Sequence, residues 1–111
     1  MTFEELKNFI DIEDGRLKKC YGEYSDKESE VLFKMTKTTE EIGELCSEIL
    51  TKYSRQRKEK LASYSDEKLA EELIDVIITV SLLAKSLDID IESTLKKKIE
   101  KIEKRHQDNK I

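Results

Sequence analysis

An all-α fold is what this 111-residue sequence predicts, and three observations predict it. It has no proline and only three glycines, so a strand-rich fold would lack its turn residues. Its composition leans on Lys, Glu, Leu and Ile, and 41% of the chain is charged, as in long solvated helices. Its apolar residues recur at spacings of three and four, as on one face of a helix. The length fits one domain, residues 1–111, able to bury roughly two thirds of its unfolded surface. With 37% hydrophobic residues, that core must be thin or shared with a second chain.

Four helices are expected. The first runs over Phe3–Tyr21, opened by a Thr2/Glu5 capping box and stopped by Gly22, with Asp14-Gly15 as a point where it could break. The second runs over Asp26–Arg57 behind a Ser25/Glu28 capping box. Its positions Leu32, Met35, Thr39, Ile42, Cys46, Ile49 and Tyr53 are spaced 3, 4, 3, 4, 3, 4, which is a helix-packing seam. Residues 55–66 read as a loop. The third helix runs over Asp66–Leu87, and Asp90 caps a fourth that ends near Gln107. The expected architecture is a four-helix bundle-like protomer.

The third helix is apolar nearly all round. Leu69, Leu73, Ile77, Val80, Ala84 and Leu87 form one face, yet Ile74, Ile78 and Leu82 lie opposite. Such a helix is covered from several directions, and four segments can hardly surround it. A homo-oligomer is expected, a homodimer or a dimer of dimers.

Charge and cysteine content narrow the function classes. A net charge of −4 argues against a nucleic-acid binder, despite the basic run at residues 96–105. No apolar run is long enough to span a membrane. The N-terminal Met-Thr-Phe-Glu-Glu-Leu lacks the pattern of a signal peptide. Cys20 and Cys46 fit no zinc spacing and read as small buried hydrophobes. A reduced, cytoplasmic protein is the expectation.

Chemistry concentrates in two acidic pairs. Glu72 and Asp75 lie one turn apart inside the most apolar helix, and Glu41 and Glu44 lie one turn apart beside the seam of the second, on a stripe with Lys34, Lys37 and Glu48. Carboxylates beside apolar groups need compensation. Lysines could supply it, or a divalent cation could. Four carboxylates across a helix pair suit a hard ion, Mg²⁺ or Mn²⁺. One histidine, His106, is too few for a di-iron bundle or a zinc hydrolase. Lys37, four residues before Glu41, could pair with it. Gly43 inside a helix is explained by a close helix approach, by room for a ligand, or by nothing more than tolerated drift.

The segments Thr39-Glu40-Glu41-Ile42-Gly43-Glu44-Leu45 and Leu69-Ala70-Glu71-Glu72-Leu73-Ile74-Asp75-Val76 resemble the E-E-x-x-E … E-x-x-D pattern of the MazG-like all-α nucleoside triphosphate pyrophosphohydrolases. The resemblance covers about residues 34–105. It implies Mg²⁺-dependent hydrolysis of a (d)NTP to a (d)NMP and pyrophosphate, in the clearance of noncanonical nucleotides or the adjustment of a pool. It also implies metal ligation by Glu41, Glu44, Glu72 and Asp75, a water-positioning role for Glu40, and substrate contacts from Lys37, Lys98 and Arg105. Ile102 stands where the family's terminal K-x3-N-x2-R element has asparagine. The rival readings are a non-catalytic helical dimerisation or adaptor module with structural acidic pairs, and a regulatory RNA- or anion-binding bundle using residues 96–105.

Overall fold

A computed structural model describes residues 1–108. Its elements are α1 (Phe3–Tyr21), α2 (Lys27–Lys52), α3 (Lys58–Leu61), α4 (Asp66–Ser86) and α5 (Ile91–Gln107). No strand occurs among the described residues. The all-α expectation is met, with one more helix than expected.

Each long helix begins on a side chain that accepts a backbone N–H three residues on. Thr2 serves Glu5, Asp26 serves Ser29, Ser65 serves Lys68 and Asp90 serves Ser93. Such a cap is worth about 1 kcal/mol. The cap of α2 is Asp26 rather than Ser25. Its carboxylate lies 2.7 Å from the Ser29 nitrogen, and an anion there also answers the positive end of the helix dipole. Ser25 is left to hydrogen-bond the Ser29 hydroxyl.

The helix ends are equally local. Gly22 takes φ 89° directly after α1. α2 stops at Lys52, five residues before the expected Arg57, because Ser54 turns left-handed (φ 59°) and the Arg55 N–H returns to the Leu50 carbonyl at 2.7 Å. Asp88 (φ 55°) does the same after α4, with the Ile89 N–H returning to Ala84. Both are Schellman ends, which satisfy carbonyls that the helix would otherwise leave open. α3 is one turn inside the stretch expected as loop. Asp14-Gly15 does not break α1.

α2 and α4 form the central pair, α1 lies against α4, and α3 touches α2. The pair is antiparallel, since Lys34, Glu41 and Glu48 meet Ser86, Asp75 and Lys68 in reverse order. α5 has no more than marginal contact with any other element, so the expected four-helix bundle is corrected to a three-helix body with α5 projecting. The radius of gyration is 17.5 Å, where a compact chain of this length has about 13 Å.

The interior is thin. Ile10, Leu82 and Ala84 are the buried apolar residues, and beside them lie the polar Asp14, Lys34, Thr38, Thr51, Ser81 and Ser86. The Thr38, Thr51 and Ser81 hydroxyls each donate to the carbonyl four residues back. The Lys34 ammonium donates to both Asp14 and Ser86 and so ties α1, α2 and α4 together. The Lys34 Nζ is 2.6 Å from Asp14 Oδ1 and 2.5 Å from Ser86 Oγ. The seam of α2 faces outward instead of packing within the chain. Cys46, in that seam, is therefore exposed, and Cys20 on α1 is exposed as well, so neither is a buried hydrophobe. No described helix is long and apolar enough to cross a membrane.

Candidate metal centre

Three- and four-residue steps along α2 aim Glu41, Glu44 and Glu48 at α4, and the same steps along α4 aim Lys68, Glu72 and Asp75 back. Carboxylate oxygens of Glu41, Glu72 and Asp75 lie within 4.8 Å of one another. Glu44 is more exposed, yet it lies close enough for its charge to act on both Glu41 and Glu72. All four carboxylates of the two sequence motifs are thereby brought together.

Burial raises the pKa of Glu41, and the neighbouring charges of Glu44 and Asp75 raise it further. Burial raises Glu72 as well, reinforced by Glu44 and Asp75 and by Glu48 from the next turn. Desolvation and like charge both disfavour the ionised form. One oxygen each of Glu41, Glu48 and Glu72 is buried with no hydrogen-bond partner. No Lys or Arg among the described residues pairs with Glu41, Glu44, Glu72 or Asp75. The nearby ammonium of Lys68 is held by Glu48 at 3.1 Å.

Orphaned buried oxygens on clustered carboxylates fit a hard divalent cation, which takes oxygen ligands and supplies the missing charge. His106 stands on α5 and Cys46 on the outward face of α2, so neither offers a softer ligand here.

The other sequence candidates fall outside the cluster. Glu40 is exposed and pairs at 3.0 Å with Lys37, whose ammonium also lies 5.9 Å over the Phe33 ring. Lys37 therefore pairs with Glu40 and not with Glu41, because Glu41 turns inward to α4. Lys98 and Arg105 are exposed on α5, and the structure does not bring them to the carboxylates. Arg105 shares a shallow surface hollow with Lys101, Lys104 and Asp108. A Cβ on Gly43 would meet nothing within 4 Å, so no close approach within the chain explains that glycine. Glu48 and Lys68 were missing from the sequence-derived site. Their signal is positional, since Glu48 is one turn past Glu44 and Lys68 one turn before Glu72.

Fold and site together define an all-α protein with a carboxylate cluster between two antiparallel helices. The family model described as the MazG nucleotide pyrophosphohydrolase domain matches residues 30–109, a span that includes all four carboxylates, and the chain belongs to that family. A relative is the uncharacterized protein YpjD of Bacillus subtilis (strain 168), 32% identical over 107 residues, which are 96% of this chain and 88% of the relative. No solved structure matches the chain.

Proposed function

We propose that the protein is a Mg²⁺-dependent nucleotide pyrophosphohydrolase. It would take a (d)NTP and water to a (d)NMP and pyrophosphate, in the cytoplasm, and remove noncanonical nucleotides from the pool. The observation that carries this reading is the pair of orphaned, buried oxygens on Glu41 and Glu72. They sit in a four-carboxylate cluster without a cation of its own, in a chain of this family.

Glu41, Glu44, Glu72 and Asp75 would hold Mg²⁺, with Mn²⁺ as a substitute. A divalent cation, when bound, supplies positive charge against the phosphate oxygens and acidifies water. Glu44 and Asp75, the more exposed members, face the approach of a substrate, while Glu41 and Glu72 anchor the cluster from within. Glu40, at the rim, is the candidate for orienting the attacking water, and Lys37 holds its carboxylate in place. Lys98 and Arg105 serve phosphate or a neighbouring chain in an assembled homo-oligomer. Cleavage between the α and β phosphates needs little covalent chemistry from the protein, so positioning and charge carry the rate.

The test is pyrophosphate release from a panel of NTPs and dNTPs with Mg²⁺, with Glu72→Ala beside the wild type. Release by the wild type alone, abolished by chelator, is the expected result. No release on any nucleotide, and no Mg²⁺-dependent rise in melting temperature, would leave the acidic pairs as structure and favour the non-catalytic adaptor.

A further inference from the structure

We propose that Lys68 is a phosphate-binding residue of this site, its ammonium anchored on Glu48 so as to meet the polyphosphate of a nucleotide entering over Glu44 and Asp75. The inference deepens the nucleotide reading and rests on it. It adds a residue that neither sequence motif contains.

Successive turns of α2 and α4 face each other along the cluster. Glu41 meets Glu72 and Asp75, Glu44 acts on Glu72, and one turn further Glu48 meets Lys68 at 3.1 Å. Lys68 precedes Glu72 by four residues, about 6 Å along the axis. A flexible four-carbon stem spans that distance. At about 100° per residue, Lys68 is turned about 40° from Glu72, and Asp75 about 60° in the same sense. Both therefore open on one side of the helix pair, the side on which the exposed carboxylates lie. The Glu48 side chain is only 12% exposed and that of Lys68 46%. The carboxylate is the buried partner and the ammonium the accessible one.

Charge decides what such an ammonium is suited to meet. A single divalent cation cancels two of the four carboxylate charges, so the site stays negative toward an incoming polyphosphate. A cation held at the rim offsets that repulsion, and phosphate oxygens are strong acceptors of charged N–H groups. Of the lysines on the two helices, Lys27, Lys34, Lys37, Lys52 and Lys85 are each paired with a carboxylate outside the cluster. Lys68 alone is paired with a residue that borders it. An ammonium has three donors, and among the described residues Glu48 is the one partner of this one. The pair does little as a brace. A half-exposed lysine gains little from an ion pair, and the second oxygen of Glu48 stays buried without a partner.

The experiment is equilibrium binding of inorganic pyrophosphate to the full-length protein in Mg²⁺, by calorimetry, for the wild type, Lys68→Met and Lys68→Arg. Mn²⁺ binding without pyrophosphate, read by paramagnetic resonance, is measured beside it. Lys68→Met should weaken pyrophosphate about tenfold, the loss of one charge-assisted contact. Lys68→Arg keeps the charge and should stay within about threefold of the wild type. Mn²⁺ should bind Lys68→Met as tightly as the wild type or more so, because a positive charge has left its surroundings. In turnover, Lys68→Met should raise KM and leave kcat within about twofold, as expected for binding shared by ground and transition states. Unchanged pyrophosphate binding by Lys68→Met overturns the proposal, and so does no pyrophosphate binding by the wild type. A parallel loss of Mn²⁺ affinity also overturns it, since Lys68 would then be a strut of the metal centre. If Lys68→Met does not fold, Lys68→Gln decides by the same criteria. Pyrophosphate held through Lys68 by a wild type that hydrolyses no nucleotide would sink the nucleotide reading and leave the phosphate contact standing. Hydrolysis with an indifferent Lys68 would do the reverse.

Discussion

Two polar clusters hang from the same helix two turns apart, and they are built in opposite ways. Around Lys34, the ammonium is bonded to Asp14 and Ser86. Lys18 adds a second cation to Asp14 at 3.5 Å and to Glu30 at 3.4 Å. Burial works against the Asp14 carboxylate, but the Lys34 hydrogen bond and charge, with Lys18 and Lys85, hold its pKa below the usual range. Around Glu41, four carboxylates meet without a cation, and burial and like charge push Glu41 and Glu72 up. The first cluster is complete within the chain and pins three helices together. The second gathers like charges with no cation paired to them among the described residues.

The largest effect is expected at the incomplete cluster. Glu72→Ala should lower pyrophosphate release by on the order of a hundredfold or more and abolish stabilisation by Mg²⁺ in a thermal melt. Normal release from this variant would remove the functional half of the contrast.

Next comes the complete cluster. Lys34→Met leaves the buried Asp14 with only its longer pairs to Lys18 and Lys85, which should cost about 3 kcal/mol in urea unfolding. Adding Asp14→Leu should recover much of that. In the metal-free protein Glu72→Gln should be neutral or stabilising, because it removes a buried charge from a crowd of like charges. Equal losses from Lys34→Met and Glu72→Gln would break the comparison.

A smaller effect should appear with pH. Glu41 and Glu72 bind protons more tightly folded than unfolded, so the metal-free protein gains stability as pH falls from neutral toward the ordinary glutamate value of about 4.3. Asp14 and Glu30 have the opposite sign. Their pKa values are lowered, so their contribution is present above the ordinary carboxylate range and lost as pH falls below it. Metal-free stability should therefore peak on the acid side of neutral. Stabilisation by Mg²⁺ should fade as protons compete for Glu41 and Glu72. Melting temperatures across pH, with and without Mg²⁺, check both signs. The smallest structural effect belongs to Lys98→Ala and Arg105→Ala, which should leave the melting temperature unchanged and raise KM for the nucleotide. An unchanged KM would make them ordinary surface residues of α5.

The sequence by itself determined the local events. Thr2, Ser65 and Asp90 cap their helices, Gly22 ends α1, and the steps of three and four place Glu41 with Glu44 and Glu72 with Asp75. Capping and helical periodicity act over a few residues, so short stretches of sequence carry them. Even there, near-equal neighbours compete. Asp26 displaces Ser25 through its charge, and the left-handed turn at Ser54 that ends α2 carries no glycine to announce it.

Only the tertiary structure decided which partner each side chain found. Nothing near Lys34 in sequence points to Asp14, 20 residues away, or Ser86, 52 residues away. Nothing near Glu48 names Lys68. The outward turn of the α2 seam, which exposes Cys46, was equally out of reach. Periodicity shows that a face is apolar, but not whether the element covering it belongs to the same chain. Such pairings depend on how α1, α2 and α4 are arranged in space, and that arrangement is set by burial summed over the whole chain.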